Sequence, residues 1–422
     1  MVDIFKKCFD FPDAKFVKAS GLYPFFKAME ASFGTTVYYE GKPVVMIGSN
    51  NYLGLTSHPK VIQRAKEAID QLGTGCTGSR CLNGNTVLHD RLEEKLAALV
   101  GKEEALVFAT GFLTNLGTIG CLADPESDVI LSDAENHASI IEGCRLSKAQ
   151  VVTYRHNDML DLQNKLKEIP SEKGCLIVTD GVFSMTGDIL NLPELVAVKK
   201  TFPEARLFLD DAHGLGVLGA KGEGTAGHFG LTKEVDLIMG TFSKSFASIG
   251  GFVAGESYVI DYIRHKARAF MFSAAMPPAS VATVLGCLEV LEEEPWRLEN
   301  LRKNIRIIKN GFEKMGLAYL PSDTPIISVF VGDEGKAFTL VKDLFEHGIF
   351  VTPVCYPAVP FGQALLRTSY MATHTEKELD KALEVFAKLA PQYGILRNQV
   401  EIPKELTHRT QTYSFDALLQ GA

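Results

Sequence analysis

Short apolar runs recur along the first two thirds of the chain, and amphipathic stretches separate most of them. Helical spacing is clear over residues 89–100, where Leu92, Leu96 and Leu99 fall on one face. The apolar runs predict short strands at 105–108, 129–131, 151–154, 175–179, 207–209 and 237–239. Strands that alternate with helices favour a mainly parallel α/β sheet covered by helices on both faces.

The pattern changes on either side of this region. Before residue 58 we expect a short helix over 21–33 and a strand pair within 36–48 that turns at Glu40-Gly41-Lys42. After Glu292-Glu293-Glu294-Pro295 the spacing predicts helices at 296–315, 336–347 and 376–389 and strands at 326–331 and 349–354. We therefore expect an N-terminal arm at 1–57, a large domain at 58–295, a small C-terminal α/β domain at 296–392 and a tail at 393–422.

Composition narrows the class of protein. The 422 residues are 46% hydrophobic and 22% charged, as in ordinary globular proteins, and the net charge of −8 argues against a nucleic-acid partner. No apolar run approaches the ~18 residues of a membrane span, and the N-terminus lacks the apolar core of a signal peptide. Eight cysteines without a CxxC pair and ten histidines without HExxH spacing predict a reduced, cytoplasmic protein with no metal site.

Lys244 is the first candidate for chemistry. It follows the apolar run 235–239 inside Gly240-Thr-Phe-Ser-Lys-Ser245. A Gly/Thr/Ser turn at a strand end offers N–H and O–H donors that suit a phosphate. A lysine held there in a dry pocket loses its proton more easily and becomes a nucleophile toward a carbonyl. A surface lysine in a Ser-rich turn is the alternative when the residue is taken alone.

Two further strand ends carry polar residues. Gly111, after the run 105–108, opens a predicted helix over 113–122, and a helix N-terminus is an anion site. An ordinary strand–helix turn is the alternative there. His137, after the run 129–131, either stacks on an aromatic cofactor or caps the next helix.

Asp210, Asp211 and His213 follow the buried run 207–209. A carboxylate at that depth needs a cationic partner, and a protonated pyridine nitrogen would be one. His213 would then reach the hydroxyl group of the same ring. A carboxylate that binds a buried arginine or caps a helix is the alternative.

Gly214-Leu-Gly216-Val-Leu-Gly219 matches the dinucleotide fingerprint G-x-G-x-x-G directly after a strand. That fingerprint requires a following helix. The next residues, 220–227, are too rich in glycine to form one, so we do not expect a nucleotide site here.

The order of these residues resembles the α-oxoamine synthases, pyridoxal-phosphate enzymes of fold type I that condense an amino acid with an acyl-CoA. The resemblance covers about residues 21–389. It rests on six blocks in order: Ser49-Asn-Asn-Tyr-Leu-Gly54, Gly73-Thr-Gly-Cys-Thr-Gly-Ser-Arg80, Asp133–Ser139, Asp180-Gly-Val-Phe-Ser-Met-Thr-Gly-Asp188, Asp210–Gly214 and Gly240–Ser245. It implies an aminotransferase-like fold with a mainly parallel seven-stranded sheet.

The resemblance also implies a role for each matching residue. Lys244 corresponds to the lysine that forms the Schiff base, Asp210 to the partner of the pyridine nitrogen, and His213 to the partner of the ring oxygen. His137 corresponds to the residue stacked on the cofactor ring. The implied phosphate and ring contacts are Gly111, Phe112, Thr241, Ser243 and Ser184. Some members have Tyr where this chain has Phe112, so any hydroxyl role is absent there.

Three more correspondences concern the substrate and the assembly. Arg367 resembles the arginine that binds the substrate carboxylate, which suits a bidentate guanidinium, and Asn51 would assist it. Ser273 resembles a residue that reaches the cofactor phosphate of the neighbouring subunit. The resemblance therefore implies a homodimer with its active sites at the interface.

Within the family, residues 240–252 and the segment Tyr356-Pro-Ala-Val-Pro360 look most like bacterial serine palmitoyltransferases. That branch condenses L-serine with palmitoyl-CoA to 3-ketodihydrosphingosine, CoA and CO₂, the first step of sphingolipid synthesis. 2-Amino-3-ketobutyrate CoA ligase and 8-amino-7-oxononanoate synthase are the alternatives within the family. A pyridoxal-phosphate aminotransferase is the alternative outside the family. A non-catalytic synthase subunit would lack the Schiff-base lysine, so Lys244 argues against that alternative. Peripheral contact with a membrane stays open.

Overall fold

The computed structural model describes residues 1–9 and 11–407. The strands of the described residues are β1 (Ala31–Phe33), β2 (Thr36–Tyr39), β3 (Lys42–Met46), β4 (Glu104–Phe108), β5 (Asp128–Asp133), β6 (Gln150–Tyr154), β7 (Gly174–Asp180), β8 (Arg206–Asp210), β9 (Leu237–Thr241), β10 (Gly251–Gly255), β11 (Ile326–Gly332), β12 (Ile349–Phe350), β13 (Thr352–Val354) and β14 (Ala364–Ser369).

The helices of the same residues are α1 (Lys6–Phe9), α2 (Asp13–Ala19), α3 (Pro59–Leu72), α4 (Val87–Val100), α5 (Gly111–Leu122), α6 (Ala138–Ser147), α7 (Met159–Lys167), α8 (Leu192–Lys200), α9 (Thr225–His228), α10 (Ser257–Lys266), α11 (Arg268–Met271), α12 (Pro278–Glu293), α13 (Trp296–Met315), α14 (Glu334–Glu346), α15 (Glu376–Tyr393) and α16 (Lys404–Thr407).

Seven strands form the central sheet in the order β4-β10-β9-β8-β7-β5-β6. Neighbouring strands from β9 to β6 are parallel, whereas β10 is antiparallel to both β4 and β9. The mainly parallel α/β fold predicted from the sequence is confirmed. The strand pattern missed β10, a five-residue element with a glycine at each end.

Alternate residues of the central strands enter two separate cores. Leu106 and Phe108 pack with Ile119 of α5 and Ile140 of α6 on one face. Their neighbours Ala105 and Val107 lie in the other core, with residues of α4, α7, α8 and α12. Because side chains alternate along a strand, burial on both faces explains the nearly continuous apolar runs in the sequence.

Two smaller sheets flank the central one. The strand pair expected within 36–48 is present as β2 and β3, with Glu40 and Gly41 at the turn in left-handed conformations (φ 50° and 69°). The helix expected at 21–33 is wrong. Pro24 disfavours a helical conformation for the residue before it, Phe26 has a φ of 55°, and residues 31–33 form β1.

The strand expected at 349–354 is divided between the two smaller sheets. β12 pairs with β3 in the sheet β1-β2-β3-β12, and β13 pairs with β14 in the sheet β11-β14-β13. The expected helices at 296–315, 336–347 and 376–389 are present as α13, α14 and α15. α15 begins at a capping box made by Thr375 and Glu378.

The proposed division at residues 57, 295 and 392 stays a prediction, and residues 408–422 of the predicted tail lie outside the described residues. The glycine run 214–219 folds back in turns, with Gly216 N–H donating to the carbonyl of Gly222, and the helix after it, α9, has four residues. Within the described ranges, no helix is long and apolar enough to cross a membrane.

Candidate active site

A cavity of about 360 Å³ lies beyond the carboxyl ends of β7, β8 and β9. Ligands bind at this edge in open α/β sheets. The cavity contains nine of the twelve predicted site residues: Gly111, Phe112, His137, Ser184, Asp210, His213, Thr241, Ser243 and Lys244. The structure therefore brings together residues that are up to 133 positions apart in the chain, since Gly111 and Lys244 mark the extremes.

Lys244 lies in the turn after β9, between the fully buried rings of Phe242 and Phe246. These rings anchor the turn in the core and leave the lysine partly exposed to the cavity. Burial lowers the pKa of Lys244 to about 8, against the opposing effect of the carboxylates Asp210 and Asp180. A substantial fraction of the amine is therefore neutral near neutral pH, and a neutral amine can attack a carbonyl.

Asp210, the last residue of β8, is 3% exposed. Its Oδ2 accepts a hydrogen bond of 2.7 Å from Asn115 Nδ2, and its Oδ1 accepts one of 3.0 Å from the backbone N–H of Ala212. Both donors are neutral, so the buried negative charge is oriented but not neutralised by them. A carboxylate in this state provides a partner for a cation entering the cavity.

His137 is both the N-cap of α6 and part of the cavity wall, so the two sequence interpretations are compatible. Its Nδ1 accepts the backbone N–H of Ser139 at 3.2 Å, which places the proton of the neutral ring on Nε2. Burial lowers the pKa of His137, with Lys244 adding to the effect. A neutral imidazole at the wall of a cavity can lie against an aromatic ring.

His213 is linked to the predicted substrate residue through a tyrosine. His213 Nδ1 lies 2.7 Å from the hydroxyl of Tyr52, and Arg367 Nη2 donates to that hydroxyl at 3.4 Å. Burial, with the cations Lys244 and Arg367, holds the pKa of His213 well below its usual range. Arg367 lies on β14 and also donates from Nε to the carbonyl of Ser184 at 2.5 Å.

The N-terminus of α5 and the turn after β9 form a small polar recess. Thr110 caps α5 by accepting the N–H of Leu113, while the helix begins at Gly111 on the cavity wall. A Cβ at Gly111 would lie 2.6 Å from Thr241 Oγ1, so only glycine lets the helix approach this turn. Free N–H groups beside the hydroxyls of Thr241 and Ser243 match the donor set that a phosphate requires.

Arg367, Asn51 and Ser273 lie outside the cavity wall. Arg367 reaches it through Ser184, as described above. The amide of Asn51 is engaged within its own turn, with Nδ2 donating to Thr56 Oγ1 and Oδ1 accepting the N–H of Leu55. Ser273 donates to the neighbouring carbonyl of Ala274. Contacts of these two residues with substrate or with a second subunit stay predictions.

Sequence reasoning did not single out four polar residues that complete the site. Asn115 holds Asp210 and also donates to Ser139 Oγ, and its own buried Oδ1 has no hydrogen-bond partner among the described atoms. Asp180 accepts the backbone N–H of His137, and its pKa is raised well above its usual range by burial and by Asp210. Tyr52, Asp180 and Ser139 lie inside quoted sequence blocks, whereas Asn115 could only have been found by its position one helical turn after Gly111.

The described residues contain no group of three or more His, Cys, Asp or Glu side chains arranged to hold a metal ion. The eight cysteines of the chain are all free thiols in the structure.

Known proteins are similar to this chain in sequence and in structure. Residues 42–386 match the family model "Aminotransferase class I and II". A serine palmitoyltransferase of Bacteriovorax stolpii is 51% identical over 392 residues, which cover 91% of this chain and 93% of the relative. An 8-amino-7-oxononanoate synthase of Thermoanaerobacter pseudethanolicus is 42% identical over 381 residues, covering 90% of this chain and 96% of the relative.

Among solved structures, a serine palmitoyltransferase variant from S. paucimobilis with a bound pyridoxal phosphate–myriocin aldimine superposes with a TM-score of 0.90. It is 34% identical, and the match covers 94% of this chain and all of that one. The fold, the family match and these identities over nearly the full length show that the chain belongs to the aminotransferase class I and II family and, within it, to the α-oxoamine synthases.

Proposed function

We propose that this protein is a pyridoxal-phosphate-dependent acyltransferase that condenses L-serine with palmitoyl-CoA and releases CoA and CO₂. The product is 3-ketodihydrosphingosine, and the reaction is the first step of sphingolipid synthesis. The observation that carries the proposal is the cavity itself, where the lysine with a lowered pKa, an oriented buried carboxylate and a helix N-terminus surround one space.

The residues present fit pyridoxal phosphate. The recess at Gly111, Thr241 and Ser243 suits its phosphate, and Asp210 suits the protonated nitrogen of its ring. His137 forms a wall against which the ring could lie, and His213 and Ser184 line the same cavity and would supply polar groups to hold it. When bound, the cofactor supplies an electron sink that takes up the charge left on the amino acid's Cα.

The chain's own groups supply binding, orientation and proton transfer. Arg367 binds the carboxylate of serine, and its Nε–Ser184 bond fixes the plane of the guanidinium. Tyr52 holds His213 and Arg367 in one network, so the positions of cofactor and substrate are coupled. Lys244, with a pKa of about 8, can remove the Cα proton near physiological pH because both its protonation states are populated.

A second cavity favours a long uncharged acyl chain. It has a volume of about 650 Å³ and shares His137 and Ser184 with the first. Its walls include Ile141, Phe183 and Leu406, and among the described residues that line it Glu135 is the one formally charged side chain. A palmitoyl chain suits such walls, whereas the terminal carboxylate of a pimeloyl chain, used for 8-amino-7-oxononanoate, would meet no lysine or arginine among the described residues of this cavity.

The test is an acyl-transfer assay with serine, glycine and alanine, each offered with palmitoyl-CoA, pimeloyl-CoA and acetyl-CoA. We expect the highest kcat/KM for CoA release with serine and palmitoyl-CoA, and one CO₂ released per CoA. A preference for glycine with acetyl-CoA would assign the chain to the 2-amino-3-ketobutyrate branch. A preference for alanine with pimeloyl-CoA would assign it to the oxononanoate branch, and the serine proposal would be withdrawn in either case.

The same assay separates the remaining classes. An aminotransferase would convert a 2-oxo acid to an amino acid without releasing CoA. A non-catalytic subunit would release no CoA with any pair. The presence of Lys244 in the cavity supports a catalytic chain.

We also propose a cytoplasmic homodimer in which Ser273 of each subunit reaches the cofactor phosphate of its partner, with peripheral contact at a membrane during product release. Phe272, beside Ser273, is 72% exposed in the single chain, which supports an interface there. One chain has a mass of 46.2 kDa, and sedimentation should give twice that mass. A monomer with full activity would refute the shared site.

A further inference from the structure

His156 is buried between two carboxylates and lies outside the wall of the candidate active site. Its side chain is 7% exposed, and those of Asp133 and Asp188 are 0% and 2% exposed. Nδ1 lies 2.9 Å from Asp133 Oδ1, and Nε2 lies 2.8 Å from Asp188 Oδ2. The edge of the ring is fixed as well, because Phe183 packs perpendicular to it with centroids 4.3 Å apart.

The two contacts require a cationic ring. A carboxylate oxygen accepts and does not donate, so each ring nitrogen must carry a proton. Burial alone would lower the pKa of His156, but the hydrogen bonds to Asp133 and Asp188 outweigh it and raise the pKa to about 10. His156 is therefore a permanent imidazolium near neutral pH, and no step of the proposed reaction uses it.

This cation connects two parts of the fold. Asp133 ends β5, and its Oδ2 accepts the N–H of Asn157. Asp188 lies in the segment 181–190, which follows β7 and folds back on itself through a bridge between Val182 and Ile189. The imidazolium thus ties this segment to the carboxyl end of the central sheet.

The same segment presents a carbonyl to the predicted substrate arginine. Ser184, four residues before Asp188, accepts the bond from Arg367 Nε at 2.5 Å. On its other side the segment is held by Ser322 and Thr324, which donate to the carbonyl of Gly187. The position of the Ser184 carbonyl therefore depends on several anchors, among them the bond from Ser328 Oγ to the carbonyl of Met185. His156 provides the anchor that ties Asp188 to Asp133 at the central sheet.

We propose that His156 is a positioning residue for carboxylate recognition: by tying Asp188 to Asp133 it fixes the Ser184 carbonyl and, through it, the guanidinium of Arg367. This rests on the proposed function, since it takes Arg367 as the group that binds the carboxylate of the amino acid. The distinctive consequence is selectivity. Loss of His156 weakens binding of ligands with a free carboxylate and leaves the same ligands without that charge unaffected.

The test compares L-serine with L-serine methyl ester, each titrated into the cofactor-loaded protein and followed by the change in cofactor absorbance. In His156→Gln, which keeps an amide donor but removes the charge, we expect the Kd of serine to rise about tenfold, as for one misaligned charge-assisted hydrogen bond. The Kd of the ester should stay within about twofold, because the ester has no negative charge and cannot form the bidentate ion pair with Arg367 that depends on this alignment.

Two further variants keep the test decisive. Asp188→Asn preserves the imidazolium and its pairing with Asp133, so it should fold even if His156→Gln does not, and it should show the same selectivity at about threefold. His89→Gln is the control, because His89 is a fully buried histidine of α4 that contacts Thr86. The control should leave the ratio of the two Kd values unchanged.

Equal losses for serine and ester, or no loss for either, would overturn the positioning role and leave His156 a structural residue. If the wild-type protein responds to alanine and not to serine, the serine proposal fails. The Kd values of alanine and alanine methyl ester are then compared in the same variants. A loss confined to alanine supports the positioning role, and equal losses overturn it.

Discussion

The central sheet has a cavity at each edge, and the two differ in chemistry rather than in size. The candidate active site, at the carboxyl ends of the strands, has a volume of about 360 Å³. The cavity at the amino ends of β5, β7, β8 and β9 has about 370 Å³ and is lined by Asp128, Gly174, Arg206 and Leu237 among others. The volumes alone therefore do not indicate which of the two cavities binds a ligand.

The two edges differ in how one carboxylate at each, Asp236 and Asp210, is paired. At the amino edge, Asp236 is paired with Lys199 at 2.9 Å and with Arg206 at 3.3 Å, and the arginine side chain is 57% exposed. At the carboxyl edge, the hydrogen bonds to Asp210 come from neutral donors. An ion pair in contact with water, such as that of Asp236 with Arg206, stabilises the protein only weakly. A buried carboxylate that is oriented by neutral donors, such as Asp210, is available to a cationic group of a ligand.

Lys244→Ala should have the largest effect. The variant lacks the amine that we propose binds the cofactor, so borohydride reduction should leave no covalent adduct by mass spectrometry, and CoA release should fall by about 10³-fold or more. Wild-type protein treated in parallel should gain the mass of one reduced cofactor per chain. An adduct of the same yield in the variant would show that Lys244 is not the residue that binds the cofactor covalently.

Asp210→Asn should lower kcat by about 10²–10⁴-fold, because the amide cannot balance a positive charge on the cofactor ring. Asp236→Asn is the matched control at the opposite edge, since Asp236 also accepts a backbone N–H, that of Leu207. We expect its kcat within about twofold of wild type. Similar losses in both variants would mean that the two edges do not differ as their charge pairing indicates.

The pH dependence of cofactor capture tests the environment of Lys244. Only the neutral amine reacts, so below its pKa the rate at which cofactor-free protein captures pyridoxal phosphate should rise tenfold per pH unit. The rate should level off above pH about 8, the pKa of the buried amine. A rise that continues toward pH 10.5, the ordinary value for lysine, would show that the cavity does not desolvate this residue.

Arg206→Ala should have the smallest effect. The side chain is more than half exposed and its pair with Asp236 is screened by water, so the free energy of unfolding should fall by at most about 1 kcal/mol in a denaturant titration. Activity should be unchanged. A large loss of activity would point to a function for the amino-edge cavity that its charge pairing does not indicate.

Much of this molecule could be predicted locally. The strands of the central sheet gave apolar runs within a residue or two of β4 to β9, since both faces are covered in all of these strands except the largely exposed edge strand β6. Helix α15 was predictable from its spacing and the capping box at Thr375. The wrong predictions have local causes too. Pro24 disfavours the helix expected at 21–33. The short strands β12 and β13 follow one another closely, so their apolar pattern predicted a single strand at 349–354.

The chemistry-bearing residues at strand ends were predictable because a parallel sheet gathers its carboxyl ends at one edge. Lys244, Asp210, His213, His137 and Gly111 each follow an apolar run, so their presence on one cavity wall follows from the order of strands and helices. The sequence by itself thus determined the family, the fold class and the candidate groups for catalysis.

Only the tertiary structure decided which of these groups touch one another. Arg367 and Tyr52 are 315 residues apart, and Asn115 and Asp210 are 95 apart, yet each pair shares a hydrogen bond. No local pattern encodes such contacts. The first depends on how β14 packs beside the Ser49–Gly54 turn, and the second on how α5 packs against the end of β8. The same packing sets the pKa of Lys244, since desolvation is a property of the assembled cavity and not of the lysine.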